Sequence, residues 1–246
     1  MNVFKADLHI HTILSPCASL EMSPVNIVRK ALEQHLDIIG VTDHNSTLQC
    51  EIVIREASKV GLMVYPGVEV TTKEEIHCLA FFSSLNELSL FQALIDQYLP
   101  AIKNDTSLFG YQVVIDENEN IVYEEERLLI SALQIGIDKV EQIVHQLNGI
   151  FIPAHVNKSK NSLISQLGFV PPSLKADAFE LSRHMETATF ISQNRLKSDT
   201  VIIRNSDAHM PEQIGEQFTQ LYMESPEFNE FILALNGLSG RKVISQ

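Results

Sequence analysis

Apolar runs of strand length alternate with helical patterns along most of this chain. Residues 3–9 read as a first strand. Ser23-Pro24 then joins a capping hydroxyl to a proline suited to the first helical position. Residues 25–35 follow as a helix, with Ile27, Val28, Ala31 and Leu32 on one face. The pattern predicts a buried strand at 36–42, a second helix at 46–60 ended by Gly61, and two more strands at 62–70 and 76–82. A long amphipathic helix is expected over 85–102. The rhythm then breaks. Two strand-like runs, 111–116 and 121–124, flank the polar turn Glu117-Asn118-Glu119-Asn120 and predict a β-hairpin. The alternation resumes with a helix at 139–147, strands at 150–154, 178–181, 201–205 and 219–223, and a helix at 227–235.

Repeated strand–helix units predict an α/β fold, either a parallel barrel or a doubly wound sheet. Residues 1–246 read as a single domain, with 104–137 as an insertion or small subdomain. The polar residues favour the barrel. His9, His11, Asp43, His44, Glu69, His155, Asp207 and His209 all fall at or just past the C-terminal ends of expected strands. In a parallel barrel those ends converge on one face, where active sites are built.

His9 and His11 lie two apart on a strand and so face the same side, as do Asp207 and His209. Imidazole and carboxylate together suit divalent zinc, iron or manganese. Glu69 stands between two valines, where a buried carboxylate needs a partner or a metal. His77 interrupts an apolar strand. Asp43 could ligate, or could hold a neighbouring histidine in one tautomer. Five strand ends with metal-capable side chains are hard to explain as independent accidents.

Composition narrows the class. The 246 residues are 45% hydrophobic and 20% charged, an ordinary globular mix. No apolar run is long enough to span a bilayer, and the N-terminus lacks a basic region followed by an apolar core, so neither a membrane partner nor a secretory signal is expected. Cys17, Cys50 and Cys78 are odd in number and form no CxxC pair, which points to a reducing, cytoplasmic setting. The formal charge of −13 predicts no strong binding of duplex nucleic acid.

The segments Asp7-Leu8-His9-Ile10-His11-Thr12, Val41-Thr42-Asp43-His44-Asn45, Gly67-Val68-Glu69 and Ser206-Asp207-Ala208-His209 together resemble the polymerase and histidinol phosphatase (PHP) family. The resemblance covers nearly the whole chain. It implies a distorted (β/α)7 barrel, a site for two to three divalent metal ions, and metal-dependent hydrolysis of a small phosphorylated substrate. It also implies a distribution of ligands. His9, His11, Glu69 and Asp207 would hold one ion. Glu69 would bridge to a second held by His77 and His155, and His44 and His209 would hold a third. Where many members carry Asp or His for that third ion, this chain has Ser15-Pro16-Cys17. Cys17 is either a thiolate ligand or a packing residue. Lys158 takes the place of a phosphate-binding arginine, and Asp207 and His209 are the candidates for proton handling. Arg183 or His184 is expected in the substrate pocket, and Lys160 is read as a solvated loop charge. Competing activities are C–N hydrolysis of the amidohydrolase kind, a polymerase-associated exonuclease, and a non-catalytic metal-containing regulator.

Overall fold

The computed structural model describes residues 1–182 and 185–244. Its strands are β1 (Asn2–Ile10), β2 (Ile38–Val41), β3 (Met63–Thr71), β4 (His77–Phe81), β5 (Val113–Ile115), β6 (Ile121–Glu124), β7 (Ile150–Pro153), β8 (Phe179–Glu180), β9 (Ile202–Ile203), β10 (Thr219–Met223) and β11 (Lys242–Ile244). Its α-helices are α1 (Pro24–Glu33), α2 (Cys50–Ser58), α3 (Leu85–Tyr98), α4 (Thr106–Phe109), α5 (Ile137–Gln146), α6 (Leu163–Leu167), α7 (Thr187–Gln193) and α8 (Phe228–Leu235). None of the described helices is long and apolar enough to cross a membrane.

Several elements begin and end for local reasons. Ser23 caps α1 by accepting from the amide of Asn26, with Pro24 at the first helical position. Helix α3 stops at Tyr98, short of the expected 102, because Pro100 cannot continue it. Helix α2 starts at Cys50 rather than 46. The preceding amides are already bonded elsewhere, Asn45 N to Glu69 O and Thr47 N to the Gln92 side chain.

One sheet runs in the order β11-β10-β1-β2-β3-β4-β7, and β8 pairs parallel with β9. Backbone bonds continue the curve. Asp177 N reaches Phe151 O and Val156 N reaches Glu180 O, joining β7 to β8. Ala208 N reaches His9 O and His11 N reaches Ala208 O, returning the chain after β9 to β1. The circuit β1-β2-β3-β4-β7-β8-β9 is the distorted seven-stranded barrel, with β10 and β11 paired antiparallel outside it.

Two features depart from an ideal parallel barrel. Strand β4 is antiparallel to both β3 and β7. Only a tight turn joins β3 to β4, too short for a helical crossover, so a hairpin is the available connection. The start of β4 therefore lies at the barrel end where its neighbours finish, and His77 is its first residue. The second departure is in β1. Between Asp7↔Ile39 and Ile10↔Val41, β1 takes three steps while β2 takes two. Ala6 and Leu8 belong to the inner core with Ile38, Tyr65, Leu79 and Phe81, whereas Ile10 joins the outer core. The extra residue rotates the strand, turning His9 and His11 inward above Leu8. Gly40 faces this bulge. A Cβ there would lie 2.6 Å from Leu8 O.

The outer core packs helix side chains, among them Ile27, Val53, Phe91 and Val140, against Ile39, Val41, Val68 and Val70. Each such buried side chain contributes about 1.5–3 kcal/mol. The β5–β6 hairpin is tied to the barrel by polar side chains. Gln49 makes two bonds to the backbone of Ile115, and Asn45 donates to Leu129 O and Ser131 O while accepting from Thr71 N.

Candidate metal centre

The bulge in β1, the end of β3, the start of β4 and the loops after β2, β7 and β9 deliver His9, His11, His44, Glu69, His77, His155, Asp207 and His209 to one rim. Around one point, His9 Nε2 lies 3.2 Å from His11 Nε2, 3.2 Å from Glu69 Oε1 and 3.3 Å from Asp207 Oδ1. His11 Nε2 is 3.4 Å from both Glu69 Oε2 and Asp207 Oδ1. Glu69 Oε1 also sits 3.0 Å from His77 Nδ1 and 3.2 Å from His155 Nε2. His44 Nδ1 is 3.1 Å from Glu69 Oε2, and His11, His44 and His209 form a further group whose donor atoms lie within 4.8 Å of one another. Two residues of the cluster, His155 at φ 29° and Asp207 at φ 55°, occupy left-handed backbone, strain of the kind that collects at functional sites.

These residues fit divalent ions. Ligand bonds of about 2.0–2.2 Å place neighbouring donors roughly 3 Å apart, which is the spacing seen here. His44 Nδ1 and Glu69 Oε2 face each other while buried, and neither makes a hydrogen bond. Leaving both unpaired is costly unless a cation takes up their lone pairs. The electrostatics agree. Burial opposes charge on Glu69, yet His77, His9 and His44 hold its carboxyl well below the usual range. Asp207 is partly buried, which opposes its charge, and it is likewise held low, by His9 and His11. Burial disfavours a charged His9, but Glu180, Asp207 and Glu69 raise it well above the ordinary imidazole value, so the cluster calls for positive charge. Burial and His11 push His44 down to about 4 and His209 down to about 3, leaving both neutral with free lone pairs.

Other polar residues hold this set in place. Asp43 does not point at the cluster's centre. It accepts from Thr12 N and Oγ1, each at 2.7 Å, and from Ser15 Oγ at 2.6 Å, and Ser15 Oγ lies 3.0 Å from His11 Nδ1. Of the two readings of Asp43, this geometry is the outer one. Asp7 is used similarly, accepting from Ser206 N and Oγ and from Gly215 N. Glu180 was missed by sequence reasoning. It is buried, 3.0 Å from His9 Nδ1, and accepts from His155 N and Asn205 Nδ2. Its signal was available, since Phe179-Glu180-Leu181 repeats the isolated carboxylate of Val68-Glu69-Val70.

Lys158 Nζ pairs with Asp207 Oδ2. Burial would lower the ammonium's pKa, but Asp207 more than offsets that, and the pKa is raised. A cavity of about 190 Å³ over the cluster is lined by His44, His77, Lys158, Lys160 and His209. Lys160, expected as a solvated loop charge, is exposed and also lines this cavity. A second cavity, of about 300 Å³, shares Lys158, His155 and Asp207 and extends past Ser182, Asn205 and Gln213. Cys17 is exposed, and desolvation and Glu69 push its thiol up to about 12, which disfavours a thiolate there. Arg183 and His184 lie outside the described residues.

The protein YqxK of Bacillus subtilis is 30% identical over 280 aligned positions, covering all of this chain and 65% of its own length. Endonuclease Q of Pyrococcus furiosus shares the fold at TM-score 0.75 and 21% identity, over 98% of this chain and 58% of its own. An endonuclease Q bound to a 27-mer duplex substrate, with an abasic lesion at its active site, matches at TM-score 0.72. The 5′-3′ exoribonuclease Rnm of Salmonella typhimurium is 34% identical over 73 residues, 29% of this chain and 24% of its own. The chain thus spans less than two thirds of the length of YqxK and of endonuclease Q.

The expectation of a small phosphorylated partner without strong duplex binding is corrected by these structures. Endonuclease Q, which shares this fold over 58% of its length, binds a duplex substrate, so an acidic sum over the chain is no ground for excluding one. The physical reason is that a ligand meets the local field at a cleft and not the net charge, and this cleft carries Lys158 and Lys160 beside Glu69 and Asp207. The PHP domain profile matches residues 7–203, the span that contains the cluster residues from His9 to His155, and this chain belongs to the PHP domain family of metal-dependent phosphoesterases.

Proposed function

We propose that this chain is a metal-dependent nuclease-type phosphoesterase that hydrolyses phosphodiester bonds in DNA. The observation that carries the reading is the convergence of Glu69 and Asp207 on the paired Nε2 atoms of His9 and His11, each contact 3.2–3.4 Å, beside a cavity that Lys158 and Lys160 line. In this reading those four hold one divalent ion, Glu69 with His77 and His155 a second, and His44 with His209 a third. Zinc, iron and manganese all suit the mixed donor set. Bound there, such ions supply Lewis acidity toward a phosphoryl oxygen and lower the pKa of water.

The chain's own residues do the rest. Lys158 presents its ammonium to the non-bridging phosphate oxygens, where a cation stabilises developing charge. Its pairing with Asp207 pre-positions it. His209 Nδ1 lies 2.9 Å from Asp207 O, an acceptor, so the ring proton sits on Nδ1 and the Nε2 lone pair is left for the third ion; with both nitrogens engaged, His209 positions rather than moves a proton. Glu180 keeps His9 in one orientation, and the amides and hydroxyls of Asn205, Ser182 and Gln213 offer hydrogen bonds to sugar or base in the adjoining cavity. The domain reading carries over as part of this proposal: one barrel over 1–246, with 104–137 inserted.

Cleavage of labelled single- and double-stranded DNA, with and without chelator, tests the reading. Chelator-sensitive phosphodiester cleavage by the wild type, abolished in H9A/H11A together with its metal content, is expected. Turnover of amides with no cleavage of phosphodiesters would refute it. The partial likeness to an exoribonuclease favours a second reading, with RNA as the strand, which the same assay on RNA separates.

A further inference from the structure

The segment leading into the β5–β6 hairpin carries an exposed apolar run, with Leu108 at 74%, Phe109 at 37% and Tyr111 at 57% exposure. This run is fixed in place. Asp105 caps the short helix α4 through Ser107 N, and Gly110 follows with φ 80°. Asn104 Nδ2 donates to Gly110 O at 2.9 Å. Gly110 approaches the loop after β1 closely enough that a Cβ on it would meet Pro16 O at 3.5 Å. That loop is part of the metal-site rim. Ser15, next to Pro16, holds His11, and Ser19 N donates to His209 O at 2.8 Å. The backbone between the two aromatic residues is thus held against that loop, while both side chains remain exposed.

We propose that Phe109 and Tyr111 form a stacking platform for unpaired bases of the DNA strand whose phosphodiester enters the metal site. The proposal rests on the nuclease reading above and names how the strand is gripped. Two observations select this occupant. The backbone between them packs on the loop whose Ser15 and Ser19 hold His11 and His209. Beyond the proposed ions, few cations are left to hold a strand: the chain sums to −13, and the cavity over the cluster offers Lys158 and Lys160 beside the carboxylates of Glu69 and Asp207. Two neutralised phosphates give a shallow salt dependence, a slope of about −1.4 for a single strand. Most of the affinity must then come from contacts that salt does not screen, and base–aromatic stacking is of that kind. Each base offers a π-face, so such a platform is tolerant of sequence.

The test is fluorescence anisotropy with a labelled, cleavage-resistant phosphorothioate single-stranded DNA, titrated at several salt concentrations. A strand of equal length lacking its bases serves as the control ligand. F109A/Y111A is expected to bind the base-containing strand about 30-fold more weakly, the lower end for two stacked bases. Its affinity for the base-less strand matches the wild type, and F109W/Y111W restores binding. An unchanged thermal midpoint in both variants shows that the fold is intact. Equal binding of the base-containing strand by F109A/Y111A and wild type overturns the platform, as does a steep salt slope with no preference for bases. Tighter binding of RNA of the same sequence overturns the assignment to DNA. Chelator-sensitive cleavage of an unmodified strand by the wild type tests the nuclease reading separately. Cleavage with an unaffected double variant refutes the platform alone, whereas neither binding nor cleavage refutes both.

Discussion

Replacing Glu180 by glutamine preserves the shape of a buried side chain while exchanging one acceptor for a donor. In the wild type, Oε2 lies 3.0 Å from His9 Nδ1 and accepts from His155 N at 2.8 Å, and Oε1 accepts from Asn205 Nδ2 at 2.8 Å. Asn205 cannot rotate its amide to suit a glutamine, because its Oδ1 already accepts from Leu8 N at 2.9 Å. Whichever way the new amide turns, one buried donor faces another. A hydrogen bond to a charged group contributes about 1.5–3 kcal/mol, and an unsatisfied buried donor costs about 1–3. A net loss of about 3 kcal/mol for the metal-free protein follows, roughly 6–12 °C in thermal midpoint for a chain of this size. The carboxylate also keeps the proton of His9 on Nδ1, so that Nε2 presents its lone pair to the cluster. Losing such an outer partner typically weakens metal binding about 10- to 100-fold. Zinc titration of the metal-free protein against a competing chelator reads this directly. If E180Q loses stability but takes up zinc with wild-type affinity, Glu180 is merely structural and the argument about the tautomer is refuted.

Other perturbations have equally definite outcomes. K158A should lower kcat/KM on a phosphodiester about 10- to 100-fold, with K158R recovering part of it, since one oxyanion-stabilising cation is removed; unchanged steady-state kinetics would count against its contact with phosphate. G40A forces a methyl group to 2.6 Å from Leu8 O, and overpacking of this kind costs about 1–3 kcal/mol, visible as a lower calorimetric midpoint with weakened metal uptake through His9 and His11. R127A removes the guanidinium that pairs with Glu125 and Asp96 and clamps the hairpin segment to α3. Burial raises the carboxyl of Glu125, but Arg127 outweighs it and its pKa is lowered. The clamp's contribution is therefore fully present above the unfolded value of 4.5 and is lost as pH falls through the lower folded value. The midpoint difference between wild type and R127A should be constant from neutral pH down to that range and shrink below it; a difference that grows on acidification would contradict the assignment.

The strand and helix order, the inserted hairpin and the rim histidines were legible because each has a short-range signature. Alternating or continuous apolar runs mark strands, and the two-residue spacings of His9/His11 and Asp207/His209 mark a shared face. The reversal of β4 was not legible as a strand pattern, since an apolar run reads the same in either direction. It shows only in the brevity of the link from Thr71 to His77. The bulge in β1 was hidden for a different reason. It is a mismatch between two strands, and strict alternation along β1 alone would have put Leu8 and His9 on opposite faces for its whole length. Glu180 was overlooked because its strand is two residues long and its partners, His9, His155 and Asn205, come from three distant segments. The acidic total misled about partners because a sum over the chain carries no position.

The reversed β4 also orders events in time. Glu69 and His77 are joined by one tight turn, so a ligand pair forms by local closure, the cheapest kind of contact for an unfolded chain. His9 and His11 meet Asp207 only when the far end of the chain returns to β1 through Ala208. That junction closes the barrel between distant segments, the costlier closure in chain entropy. In the proposed reading an ion shared by His9, His11 and Asp207 would staple that seam, and metal loss is then expected to speed amide exchange first along β1 and residues 205–209, with the β3–β4 hairpin still protected.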